Sequence, residues 1–126
     1  MARHRRPQAP PAQRLILDSG AVIALSRNDV RARAVLAAAM DAGAEVSIPS
    51  VVIAETVRGS ARDAAVNRVI TAVGDVKPID EPIGRRAGAL LASSRSTSTI
   101  DALVVATAIQ RGGGVVLTGD VDDLTR

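Results

Sequence analysis

Two rhythms of apolar residues alternate along this chain. Short unbroken runs at residues 15–17 (Leu-Ile-Leu) and 115–118 (Val-Val-Leu-Thr) have the look of strands buried on both faces of a parallel sheet. Longer stretches repeat with helical spacing. Ala32, Val35, Leu36, Ala39 and Met40 fall at i, i+3, i+4 intervals, predicting a helix over 30–42 that Asn28-Asp29 opens and Gly43 ends. The same reading predicts helices at 21–25, 51–58, 61–73, 80–91 and 100–111, and strands at 45–48 and, more weakly, 75–78. Punctuation agrees with the periods. Pro49 stops the second strand, Ser50 caps the helix after it, Gly59-Ser60 breaks the chain, and Gly112, Gly113 and Gly114 end the last helix. Strand alternating with helix predicts an α/β fold around a parallel sheet, with a polar loop at 93–99.

Residues 1–14 stand apart. They hold three of the six prolines and four arginines, with no acid, and are expected to form a disordered, solvated basic extension. Residues 15–126, the expected folded domain, carry twelve basic and thirteen acidic groups, so the high pI describes the tail and not a basic face. There is no Phe, Trp or Tyr, so the core is built from Val, Ile, Leu and Ala, and RNA-binding modules that stack bases on aromatic rings are excluded. The lack of cysteine removes disulfides and thiolate metal sites. The single histidine, His4, removes His-based triads and most zinc sites. With no signal-type h-region and no apolar run long enough to cross a bilayer, a soluble, cytoplasmic protein is expected.

Four carboxylates carry the candidate chemistry. Asp18 ends the first strand, where open α/β sheets place their ligands, although Asp18 or Ser19 reads equally well alone as a helix cap. Asp101 stands in the first turn of a helix that is apolar nearly all the way round and therefore expected to be buried on most sides. A macrodipole-favoured acid is the ordinary alternative there, but a carboxylate at the mouth of a buried helix needs a charge partner. Glu55 lies on the apolar edge of its helix, where an i, i+3 pair with Arg58 is its plain structural role. Asp120 follows the last strand and could instead cap the acidic turn that contains Asp122 and Asp123, which read as surface and cap residues. Together the four are more informative. Carboxylates crowded within ~5 Å repel by roughly 3 kcal/mol per pair at an effective dielectric near 20. A fold keeps such a cluster only if a cation relieves it or several acids stay protonated, and all-oxygen ligation selects Mg²⁺ or Mn²⁺.

LDSGAVIAL around Asp18, IAETVRG around Glu55, IDALVVATA around Asp101 and VVLTGD ending at Asp120 resemble the PIN-domain ribonucleases, and more narrowly the VapC toxins of type II toxin–antitoxin systems. The resemblance spans about residues 15–126. It implies a three-layer αβα fold with a parallel sheet of order 3-2-1-4-5, a homodimer, and Mg²⁺-dependent endonucleolysis of structured RNA such as tRNA or rRNA. Asp18, Glu55, Asp101 and Asp120 match the family's metal-binding acids, with Ser19 and Thr118 as supporting hydroxyls. A VapB-like antitoxin that lays a basic side chain over the acids is implied as well. Family members usually continue into a further short strand, whereas this sequence stops at Arg126; the expectation is a sheet of order 3-2-1-4, with the fifth strand either absent or clipped from the sequence. The rival readings are weaker. An inactive PIN-like module for binding RNA or protein is opposed by retention of all four acids. A receiver-type phosphoacceptor lacks its paired acids and late lysine, and an Asp-x-Asp phosphatase fails because Ser19-Gly20 follow Asp18. The triple glycine precedes a strand instead of opening a helix, so it is no dinucleotide fingerprint.

Overall fold

The structure, a computed structural model, describes residues 13–94 and 98–119. Four parallel strands form its centre: β1 (Arg14–Leu17), β2 (Glu45–Pro49), β3 (Val76–Lys77) and β4 (Val115–Leu117), in the order β3-β2-β1-β4. Arg14, Leu15 and Ile16 align with Glu45, Val46 and Ser47, and Leu15, Ile16 and Leu17 with Val115, Val116 and Leu117. The strand order is the expected one, and the two interior strands are the ones covered on both faces: Leu15, Ile16 and Leu17 of β1 and Ser47, Ile48 and Pro49 of β2 are buried.

Helices follow each of the first three strands: α1 (Ser19–Ser26), α2 (Val30–Asp41), α3 (Ser50–Thr56), α4 (Ala64–Val73), α5 (Glu81–Ser93) and α6 (Thr99–Gln110). Successive residues of β2 face opposite layers. Val46 opens toward α1, α2 and α4, and Ser47 toward the end of α6, which makes the fold a three-layer αβα sandwich. On one side α1 packs against α4, on the other α5 lies along α6, and α3 touches both α1 and α6. The core is wholly aliphatic: Ile16, Leu17, Val22, Ile48, Val52 and Leu117 at its centre, with a second cluster of Ile83, Ala87, Ala102 and Ala106 between α5 and α6.

Several expectations need correcting. Pro49, and not Ser50, is the cap residue of α3, and no side chain caps that helix; Ser50 is its first residue. The helix expected over 61–73 starts with a single 3₁₀ turn, Ala61–Asp63, before α4. The α2 stripe is only partly covered: Ala32 is buried, Val35, Leu36 and Ala39 are half-buried, and Met40 is exposed. β4 is also less buried than its sequence implies. It pairs with β1 alone among the described residues, and Val115 lies open at that edge. The extension up to residue 12, and the acidic turn with Asp120, Asp122 and Asp123, lie outside the described residues.

Candidate functional site

The carboxyl ends of β1 and β4 meet beside the start of α1. The Asp18 backbone N–H donates to the Leu117 carbonyl (3.1 Å), which splices the exit of β1 onto β4. Asp18 then turns its side chain back as the N-cap of α1, with Oδ1 accepting from the Ala21 N–H at 2.9 Å. The cap role is therefore real. It uses one carboxylate oxygen, and a second capability of the same group is compatible with it.

The electrostatics of Asp18 carry that second capability. Burial pushes its carboxyl above the usual aspartate value, and the negative charges of Asp101 and Glu55 push it the same way, against the lowering effect of the Ala21 and Gly20 N–H groups. An acid at the end of a strand thus feels two others, one from α3 and one from the first turn of α6. Three elements far apart in sequence bring these charges together.

Each neighbour is placed by an ordinary local cause. Ser98 caps α6, its Oγ accepting from the Asp101 N–H at 3.1 Å, which fixes Asp101 in the first turn. α6 is buried on most sides, as expected: Ala102, Val104, Ala106, Thr107 and Ala108 are covered, and one narrow line is left open. Asp101 is exposed, and Val105 and Ile109, four and eight residues on, are 40% and 39% exposed along the same line, while Val104 and Ala108 are buried. Packing against α5 and the sheet covers only part of the circumference, so Asp101 faces solvent instead of an apolar wall.

Glu55 is half-buried near the end of α3. The expected pair with Arg58 is not formed, because the Arg58 guanidinium donates to the Ala54 and Val57 carbonyls, both at 3.0 Å. Neither Glu55 nor Asp101 makes an ion pair with any described residue. Ser19 is the first residue of α1, and Thr118 follows β4, both half-buried at the same junction.

Gly20 and Gly119 let this junction close. A Cβ on Gly20 would meet the Gly119 nitrogen at 2.9 Å, and one on Gly119 would meet the Gly20 carbonyl oxygen at 2.5 Å. The backbones touch where only hydrogens fit. The described chain thus leaves β4 against the start of α1; Asp120, the fourth expected acid, is the next residue and lies outside the described residues.

Sequence reasoning missed Asp63. It is buried, and its carboxylate accepts from three successive N–H groups, Arg58 (3.0 Å), Gly59 (2.7 Å) and Ser60 (3.2 Å). These bonds, the one from Arg58 foremost, hold its carboxyl below the ordinary range. It locks the turn immediately after α3, which carries Glu55. The signal was present, since Ser60 and Asp63 stand at the spacing of a capping box, and both halves of that box form.

Among the described residues, no group of three or more His, Cys, Asp or Glu side chains forms a metal-holding cluster. What the described acids offer a metal is a donor set of oxygens with uncompensated charge, which suits a hard divalent ion. A cleft of about 470 Å³ between α1, α2, α4 and β2 does not compete for this role, because no acid lines it.

A sandwich of this topology, with Asp18 where β1 ends beside β4, defines the class. The family model described as PIN domain matches residues 15–126, and the chain belongs to that family. A toxin–antitoxin complex from Klebsiella pneumoniae contains a chain of the same fold, with a TM-score of 0.66 at 19% sequence identity over 82% of this chain and 84% of that one. No curated protein matches.

Proposed function

We propose that the protein is a Mg²⁺-dependent endoribonuclease toxin that cleaves structured RNA, tRNA or rRNA, and is held in check by a VapB-like antitoxin. The observation that carries this reading is the junction where β1 and β4 end: Asp18 is held there by its cap bond to Ala21, and burial first, then the charges of Asp101 and Glu55, raise its carboxyl. Negative charge gathered without a cationic partner costs stability unless a cation relieves it. Membership of the PIN-domain family and the likeness to a chain of a toxin–antitoxin complex support the same assignment.

In this reading Asp18, Asp101, Glu55 and Asp120 hold Mg²⁺, or Mn²⁺ in its place. When bound, the ion supplies Lewis acidity toward a phosphodiester and lowers the pKa of water. The chain's own residues do the positioning. Asp18 is held by its cap bond to Ala21, Asp101 by the Ser98 cap, and Glu55 by the turn that Asp63 locks. Ser19 and Thr118 add hydroxyl donors for the substrate at the strand ends. A route through the RNA 2′-hydroxyl alone lacks a partner pair, since the only histidine is His4 and there is no tyrosine. The antitoxin inhibits by placing a guanidinium or ammonium where the ion sits, supplying the missing counter-charge. The toxin itself assembles as a homodimer and works in the cytoplasm.

A second reading, a PIN-like module that binds RNA or protein without cleaving, draws on one observation: the described acids do not by themselves form a metal cluster. Incubating tRNA and rRNA with the purified protein, with Mg²⁺ or with EDTA, separates the two. The expected result is Mg²⁺-dependent cleavage leaving 5′-phosphate and 3′-hydroxyl ends, lost by at least a hundredfold in Asp18→Asn and Asp101→Asn. Undiminished cleavage in EDTA, or in either variant, overturns the metal reading. RNA bound but left intact with Mg²⁺ as well as with EDTA supports the second.

A further inference from the structure

A second polar cleft lies at the other end of the sheet from the acids. It opens on one face of three strands: Ile16 and Arg14 of β1, Ser47 and Glu45 of β2, and Lys77 of β3 with Asp75 just before it. The register makes this one surface, because Arg14 aligns with Glu45, Ile16 with Ser47, and Pro49 with Lys77, and alternate residues share a face. α6 covers β1 and β4 on this side and α5 packs on α6, while over β2 Ser47 and Pro49 are buried and Lys77 of β3 is partly exposed. Arg111, just past the end of α6, reaches over the opening, and the space enclosed is about 200 Å³.

The charges of this cleft do not balance. Lys77 pairs with Asp75 at 3.2 Å, and Arg14 stands 3.8 Å from Glu45, so each acid is offset by its own cation. The third cation, Arg111, has no acid opposite it among the described residues, and its Nε is buried with no hydrogen-bond acceptor. A buried charged donor left unpaired costs more than most single contacts supply. Ser47, only 7% exposed, places a hydroxyl in the same cleft. Glu45 and Asp75 are each taken by their own cation, so what Arg111 lacks is an acceptor carrying negative charge.

We propose that this cleft binds a phosphate group, with the Arg111 guanidinium as its principal donor and Ser47 and Lys77 as supporting donors. The volume admits a phosphate with room for one attached group but not a folded partner, and the planar guanidinium suits a tetrahedral oxyanion. The site is separate from the acid cluster, since α6 begins at the carboxylates and ends at Arg111. It therefore stands or falls independently of the nuclease reading.

The test uses the full chain in EDTA, so that no RNA is cut. Inorganic phosphate is titrated against chloride at equal ionic strength, with ³¹P line broadening and thermal midpoint as readouts. Wild type and Asp18→Asn are expected to bind phosphate alike, and Arg111→Gln and Ser47→Ala to bind at least tenfold and a few-fold more weakly. Titration with a 5′-phosphorylated oligoribonucleotide and its dephosphorylated twin distinguishes the sources. Preference for the phosphorylated strand assigns an RNA end, and binding of inorganic phosphate alone assigns the free ion. Equal response to phosphate and chloride, or unchanged phosphate binding in a folded Arg111→Gln protein, overturns the proposal.

Discussion

Asp18 serves two masters, and the conflict has a measurable signature. Its folded pKa lies above the ordinary aspartate value, so the folded state disfavours its ionisation. Stability on this account is undiminished below the unfolded pKa, near ~4, and is lost as pH rises through the folded value. Asn caps a helix about as well as Asp, so Asp18→Asn keeps the Ala21 bond and sheds the charge. Without metal the variant is expected to melt above wild type at pH 7, the gap closing as pH falls to about 4; a variant melting lower at pH 7 contradicts the assignment. Asp63 has the opposite sign. Its lowered pKa stabilises above the unfolded value, and that contribution is lost as pH falls through the folded one. Both residues were accessible from sequence in different degrees. The strand-to-helix break marked Asp18, whereas Asp63 hid inside what the pattern read as a continuing helix. The failure of the Glu55–Arg58 pair was not accessible, because spacing says which side chains are near and not which acceptor an arginine prefers.

Elements were legible wherever a period and a stop signal coincided. α2, α5 and α6 fall within a few residues of expectation because Asp29, Asp80 and the triple glycine bound them. α6 is as buried as its sequence says, but a run of Val, Ala and Ile does not announce which line its neighbours leave open, and Asp101 stands on that line. The junction of β1, α1 and β4 depends on a backbone approach that the sequence shows only as two glycines a hundred residues apart. Gly119→Ala forces the exit of β4 away from the start of α1. Overpacking of this kind costs about 1–3 kcal/mol. The expected outcome is a lower denaturation midpoint together with RNA cleavage reduced at least tenfold; unchanged values for both show that the contact can relax freely.

The whole molecule couples its site to its stability through the charge it concentrates. An ion that binds only the folded state adds about 2.7 kcal/mol at a hundredfold excess over its Kd. Thermal melts with and without Mg²⁺ are expected to show a rise of a few degrees in wild type and little in Asp18→Asn; equal shifts in both place the ion elsewhere. Sheet order followed from the resemblance that the four acidic motifs carry, not from the apolarity of any strand. The cleft over Ser47 did not, since it depends on where the end of α6 sets Arg111 against β1, β2 and β3, and it went unread for that reason.

The ring-free interior has a practical corollary. With neither indole nor phenol anywhere in the chain, the protein barely absorbs at 280 nm and has no intrinsic fluorescence, so melts must be followed by far-ultraviolet dichroism or calorimetry. The blank background is also an asset. A single tryptophan in place of exposed Val105, one turn from Asp101, becomes the sole emitter and reports on whatever approaches the carboxylates, be it ion, RNA or inhibitor.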